Sequence, residues 1–364
     1  MATQTTTETV KAPVAGKGKF NQPLPSLDEI RACIPKECFD KDLVRSVKHL
    51  LWDYAVLLFL YKVQPVFESF GIAGMLLWYF VTGMELASVF VCGHDCGHGT
   101  FSKYIWVNDI FGHITHGMLF APYWPWQKTH RLHHTYTSHV KKDHGHPWIT
   151  EEKFEAKTAI ERLYSKLFVT GLFNWYIYTI AGLPDGSHFW PYSRIFSNNK
   201  ERIQCVFSGL VCVAWASLAY YYFGSFGGFV KFYIIPIMFQ GFWIIMITYL
   251  QHQTDDIEVY EDGTWGYVKG QLQTIDRPYG FGIDQLMHHI TDGHVAHHLF
   301  FTQIPHYNLM KATEAIEKKL NPLGVYRKQT TYDFLWQFFN LNCKLEYLIG
   351  EGTGLLKYAK TKSE

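Results

Sequence analysis

Residues 72–98 read IAGMLLWYFVTGMELASVFVCGHDCGH. Up to Cys92 the run carries one charged side chain, Glu85, and it matches the roughly 20 apolar residues a helix needs to cross a bilayer. His94 and His98 follow directly, four apart and therefore on one face if the helix continues. A membrane span that ends in two metal-binding side chains decides how the rest of the chain is read.

Three further segments approach spanning length: residues 50–67, interrupted by Asp53, Lys62 and Pro65, then 203–223 and 229–250. Any one of them could be a buried core helix. Four of them, in two closely spaced pairs, predict an all-α membrane protein with about four transmembrane helices in two hairpins. The links 68–71 and 224–228 carry only Glu68. The stretch before residue 50 carries Arg45 and Lys48, and the long middle segment carries Lys128, Arg131, Lys141, Lys142, Arg194, Lys200 and Arg202. By the positive-inside rule the N-terminus, the middle segment and the C-terminal third face the cytosol, where they would form a helical cap. Tyr220–Phe223 would lie in the aromatic belt at the opposite interface. Segments 106–122 and 167–183 are shorter or broken, and read as interfacial or re-entrant helices. The expected division is a flexible cytosolic tail (1–40), a membrane domain (41–345) and a cytosolic C-terminal tail (346–364).

Composition excludes several classes. The 33 basic and 32 acidic residues nearly cancel, so no basic footprint for nucleic acid exists. Seven cysteines without a Cys-x-x-Cys pair argue against a disulfide scaffold or a zinc ribbon. The polar, Thr-rich start MATQTTTETV is not a secretory signal peptide. What the chain has in excess is aromatic residues (17%) together with 19 histidines.

Those histidines concentrate in three boxes: His94-x-x-x-His98, His130-x-x-His133-His134 and His294-x-x-His297-His298. On helices the first would present two imidazoles on one side and each of the others three. Eight imidazoles exceed one metal and suit two; ligand type alone leaves Zn, Cu, Fe and Ni open. The His-Glu-x-x-His zinc signature is absent, and the boxes hold a single carboxylate, Asp95, unlike the Glu-rich soluble di-iron bundles. Gly93, Gly97 and Gly99 would allow close packing around the first box, or only a helix–loop transition. The aromatic stretch at 122–126, Pro-Tyr-Trp-Pro-Trp, could line a substrate tunnel, but seating the cap at headgroup level is preferred.

The boxes, their order and the paired spans resemble the membrane fatty acid desaturases, over residues 24 to 347. The similarity is greatest to nematode-type Δ12 (ω6) and ω3 acyl-lipid desaturases. It extends to the flanks GHDCGHGTFS, APYWPWQKTHRLHHTYTSH, TYLQHQ, QTIDRPYGFG and MHHITDGHVAHHLF. The resemblance implies a di-iron centre on the eight box histidines that activates O2 against an unactivated C–H bond. It also implies a ninth ligand before the third box: His252 first, His288 next, with His289 incidental. For His113, His116, His139, His144, His146, His188 and His306 it leaves supporting or structural roles rather than ligation. No His-Pro-Gly-Gly haem motif occurs, which argues against a fused cytochrome b5, and the resemblance implies a separate cytochrome b5 with its NADH-dependent reductase as the electron source.

The implied reaction is Δ12 desaturation of oleoyl to linoleoyl on an acyl lipid, either a phospholipid or acyl-CoA. An ω3 or bifunctional activity is the alternative, and a hydroxylase, acetylenase or conjugase a more distant one. A His-rich metal transporter would place its ligands at the bilayer midplane, whereas these boxes lie outside the spans. Lys360 and Lys362, five and three from the end, form a dilysine-type signal that predicts an endoplasmic reticulum membrane protein with its site on the cytosolic side.

Overall fold

The computed structural model describes residues 20, 23–145, 148–165, 167 and 178–359. The dilysine residues, His146 and most of 167–183 lie outside the described residues.

Four helical stretches are long and apolar enough to span a bilayer. The first, α2 (Leu43–Ser69), follows a short α1 (Leu27–Cys33) and is capped by Asp42, whose carboxylate accepts from Arg45 N at 3.1 Å. It folds back as α3 (Gly71–His98), with Trp78 Nε1 donating to Leu60 O at 2.8 Å. The amphipathic α4 (Ile105–Met118) and α5 (Tyr123–Thr135) come next. The second pair is α6 (Asn199–Phe223) and a run from Phe226 to His252 that contains a π-turn, Val230–Ile234, before α7 (Ile235–His252). Pro236 explains the π-turn. It has no N–H for the carbonyl of Phe232, which accepts instead from Tyr61 Oη at 2.6 Å.

These helices run beyond the expected spans, and the reason matters for the site. The expected limit at residue 92 is passed without a break, so the first histidine pair sits on the span's own last turn. Likewise α7 continues to His252. α3 and α7 pack side by side through Ala87, Val91, Trp243, Met246 and Leu250, with their C-termini at the same end. The outer faces of α2 (Trp52, Leu58, Phe59) and α6 (Ile203, Leu210, Val213) are apolar and exposed, as lipid contact requires.

The cap adds α8 (His294–Leu299), α9 (Leu309–Leu320) and α10 (Phe334–Lys344), and a small sheet of order β1-β3-β2. Its strands are β1 (Val259–Tyr260), β2 (Leu348–Ile349) and β3 (Leu355–Tyr358), all antiparallel.

Both tail boundaries therefore move. From residue 23 the N-terminal segment is folded: Ser26 and Glu29 form a capping box, and Ile30, Ile34 and Cys38 pack on Ala312, Ile316 and Leu320. The C-terminal segment closes the sheet, with Leu348 and Leu356 buried against Ile257 and Val259. Strands this short leave little periodicity to read. Leu356→Ala should cost about 2–5 kcal/mol, seen as a lower unfolding temperature of the detergent-purified protein. A chain ending at Leu345 should be less stable still.

Candidate metal centre

Four elements bring nine histidines together: His94 and His98 from α3, His130, His133 and His134 from α5, His252 from α7, and His294, His297 and His298 from α8. They divide into two groups. His94, His98, His130, His134 and His297 converge in one; His133, His252 and His298 converge in the other, where His294 joins through His252.

The boxes are not three-ligand faces, as the spacing suggested. Residues four apart stay together, but His133 and His134 are consecutive and point about 100° apart on the helix. One therefore serves each group. α8 repeats this with His297 on one side and His294 and His298 on the other. Each of α5 and α8 thus lies between the centres and contributes to both.

The nitrogen spacing tests whether metal fits. In the first group the Nε2 atoms of His94 and His98 are 3.1 Å apart, of His130 and His134 3.1 Å, and of His134 and His297 3.2 Å. In the second, His252 Nε2 lies 3.3 Å from that of His133 and 3.0 Å from that of His294. A ring nitrogen carries in its plane a proton or a lone pair, never both, so one hydrogen bond cannot satisfy the two neighbours of His134 or of His252. A metal about 2.0–2.1 Å from each ligand sets neighbouring nitrogens roughly 2.9–3.4 Å apart. The spacing fits a metal in each group.

The surroundings prepare those nitrogens. Burial, reinforced by the neighbouring imidazoles, pushes His130, His134, His297 and His298 well below the usual imidazole range, so they are neutral with lone pairs to give. His133 Nδ1 donates to Asp143 Oδ1 at 2.6 Å, His294 Nδ1 to Ile290 O at 3.0 Å, and His298 Nδ1 to Gln271 Oε1 at 3.0 Å. Each bond places the ring proton on Nδ1 and leaves Nε2 bare towards the centre. Gly145 is required for this closeness: a Cβ there would come within 2.3 Å of His133 Nδ1. Gly93 and Gly97 serve the same end, since Cβ atoms would strike His116 and Trp126, whereas Gly99 (φ 71°) ends α3.

The remaining histidines lie elsewhere. His288 belongs to neither group; its Nε2 is 2.8 Å from Asp53 Oδ2, beside His49 and His306. The backbone at His288 is left-handed (φ 52°), which turns the ring away from the box six residues on. His289 pairs with Asp292, His113 with Asp109 O and Ser208, His139 with Asp262, and His188 with Thr179 O. His116 packs between Phe90 and Trp126, and His144 is half-buried. Asp143 and Gln271 are contributions the sequence reading missed, since nothing in their spacing ties them to a box.

Beside the first group lies a cavity of about 280 Å³, lined among others by Phe90, Trp126, Ile237, Gly241, Ile244 and Thr248. Trp126 separates it from the imidazoles, stacking on His130 at 4.7 Å and leaning on His94 at 5.8 Å. The preference for interfacial seating of 122–126 is thereby overturned: Tyr123 and Trp126 are buried, and Trp126 is cavity wall. Packing against the first-box helix outweighs the affinity of these rings for headgroups.

Two multi-imidazole centres at the ends of membrane spans, next to an apolar cavity, suit metal chemistry on a hydrocarbon chain. The chain belongs to the fatty acid desaturase family, whose sequence model matches residues 70–331. It is 49% identical over 342 residues to the Delta(12) fatty acid desaturase fat-2 of Caenorhabditis elegans, covering 92% of this chain and 91% of the relative. It is 46% identical over 346 residues to the omega-3 fatty acid desaturase fat-1 of the same organism, covering 94% and 86%. An omega-6 fatty acid desaturase of Glycine max (endoplasmic reticulum isozyme 1) is 32% identical over 335 residues, covering 86% and 84%.

Proposed function

We propose that the protein inserts a cis double bond at carbon 12 of oleoyl chains in membrane lipid, giving linoleoyl. The observation that carries a desaturase is the nine-imidazole arrangement beside an apolar cavity, with nitrogens 3.0–3.3 Å apart. Position 12 is supported by the 49% relative; insertion at ω3 is the second reading, supported by the 46% relative.

Adjacent methylenes have no acidic proton, so side-chain acid–base chemistry cannot remove their hydrogens. The nine imidazoles would hold two iron ions, His94, His98, His130, His134 and His297 one and His133, His252, His294 and His298 the other, and the iron supplies O2 activation when bound. The balance is one O2, two hydrogens from the chain, and two electrons with two protons from outside, giving one alkene and two waters. The cavity holds the chain out of water, and Trp126, between it and the imidazoles, orients the reacting carbons. The electrons come from cytochrome b5 and its NADH-dependent reductase at the cytosolic face of the endoplasmic reticulum.

Expression in a yeast that makes oleate and palmitoleate but no polyunsaturates tests this. New dienes of both chain lengths, with the second bond at carbon 12, are expected. Trienes only when linoleate is fed would establish the ω3 reading instead.

A further inference from the structure

Asp95 stands between His94 and His98 on the last turn of α3, yet it belongs to neither imidazole group. Its Oδ2 accepts two hydrogen bonds from one residue, the backbone N–H and the Nδ1 of His306, both at 2.9 Å. His306 opens the short turn His306–Asn308 that leads from α8 into α9. One contact therefore ties the helix of the first box to the segment that follows the third.

The arrangement carries a cost that packing alone does not explain. His306 is buried, and its Nε2 has no hydrogen-bond partner among the described residues. A neutral ring that donates from Nδ1 holds a bare lone pair at Nε2, and such orphans are rare in folded proteins. The rings of His49 and His288 pack against it at 4.8 and 4.6 Å without serving it.

Two nitrogens of this cluster are already committed to carboxylates, His306 Nδ1 to Asp95 and His288 Nε2 to Asp53. The cluster braces.

We propose that His306 is a positioning residue for the five-imidazole centre. By fixing Asp95 it sets the rotation of the last turn of α3, and with it the aim of His94 and His98. Intrahelical bonding runs out in that turn, so a side-chain anchor decides where it points. The inference rests on the metal-centre reading above.

The test uses the full-length, iron-loaded protein in detergent, with His306→Leu, His306→Asn, Asp95→Asn and the Leu/Asn double variant. Mössbauer spectra and kcat and KM are measured together. His306→Leu should lower kcat about 10–100-fold with KM unchanged, and alter the signal of one iron while the other keeps its native parameters. His306→Asn returns an N–H near the position of Nδ1 and should recover most of both. The double variant should be no worse than the worse single, because both remove one contact.

Unchanged iron signals in His306→Leu, or His306→Asn behaving no better than His306→Leu, would overturn the proposal. If the leucine variant does not fold, the asparagine variant and Asp95→Asn carry the same comparison: native signals in Asp95→Asn overturn it. Failure of the metal-centre reading looks different, since the native protein would then contain no iron.

Discussion

His134→Ala should abolish diene formation in the yeast assay and lower the iron content of the purified protein from two per chain towards one. His134 Nε2 faces two other imidazole nitrogens, at 3.1 and 3.2 Å, so it occupies the middle of the five-imidazole set. Its removal opens the set to water and leaves His130 and His297 facing a gap. Changing a partner that only orients a ligand typically costs about 10–100-fold, and loss of the ligand itself should exceed that. The fold should tolerate the change. His134 C=O still accepts from Gln271 Nε2 at 2.6 Å, and α5 remains packed through Tyr123 and Trp126. His252→Ala should have the same effect on activity while depleting the other iron, since it removes the nitrogen between His133 and His294. Diene formation near the native level in either variant, with two irons retained, would show that these nitrogens are not ligands.

Much of this centre was legible in the sequence because it rests on local rules. An apolar run of spanning length followed by His-x-x-x-His fixes both a helix and a shared face, and α3 realises both in one piece. His252 follows from the end of an apolar run in the same way, once a ninth ligand is sought.

Where the reading failed, the deciding interaction was long-range. Three imidazoles in His-x-x-His-His look like one face until there are two centres, His133 leaving its box for one and His297 leaving its box for the other. Trp126 looks interfacial until α3 brings Phe90 and His94 beneath it. His288 sits six residues before His294, but a left-handed backbone and the carboxylate of Asp53, more than two hundred residues away, claim it first. The terminal segments failed for a related reason. Ile30 and Leu356 lie in segments too short to show a clear period, and only their partners on α9 and β1 make them core.

Asp143→Asn gives the second large effect, and it acts through a proton rather than a lost contact. This carboxylate accepts from three donors: His133 Nδ1 at 2.6 Å and Gly145 N at 2.9 Å on Oδ1, and Ser138 N at 2.9 Å on Oδ2. An amide must turn its NH2 towards one side. Towards Ser138 it sets donor against donor at a buried backbone N–H, which costs about 1–3 kcal/mol for the unsatisfied group. Towards His133 it sets donor against donor at Gly145 N as well, and it can bond the ring only if the ring shifts its proton from Nδ1 to Nε2. His133 Nε2 then carries hydrogen where it should present a lone pair to the centre shared with His252. Iron in that centre should weaken, and activity fall, by about 10–100-fold, with the five-imidazole centre still filled. Asp143→Ala removes the orienting acceptor without imposing the wrong tautomer, so it should retain more iron than Asp143→Asn. Iron content and dienes measured on both variants decide the matter: equal loss in the two would mean that Asp143 acts by holding the loop at Ser138 and Gly145, not by setting the proton on His133.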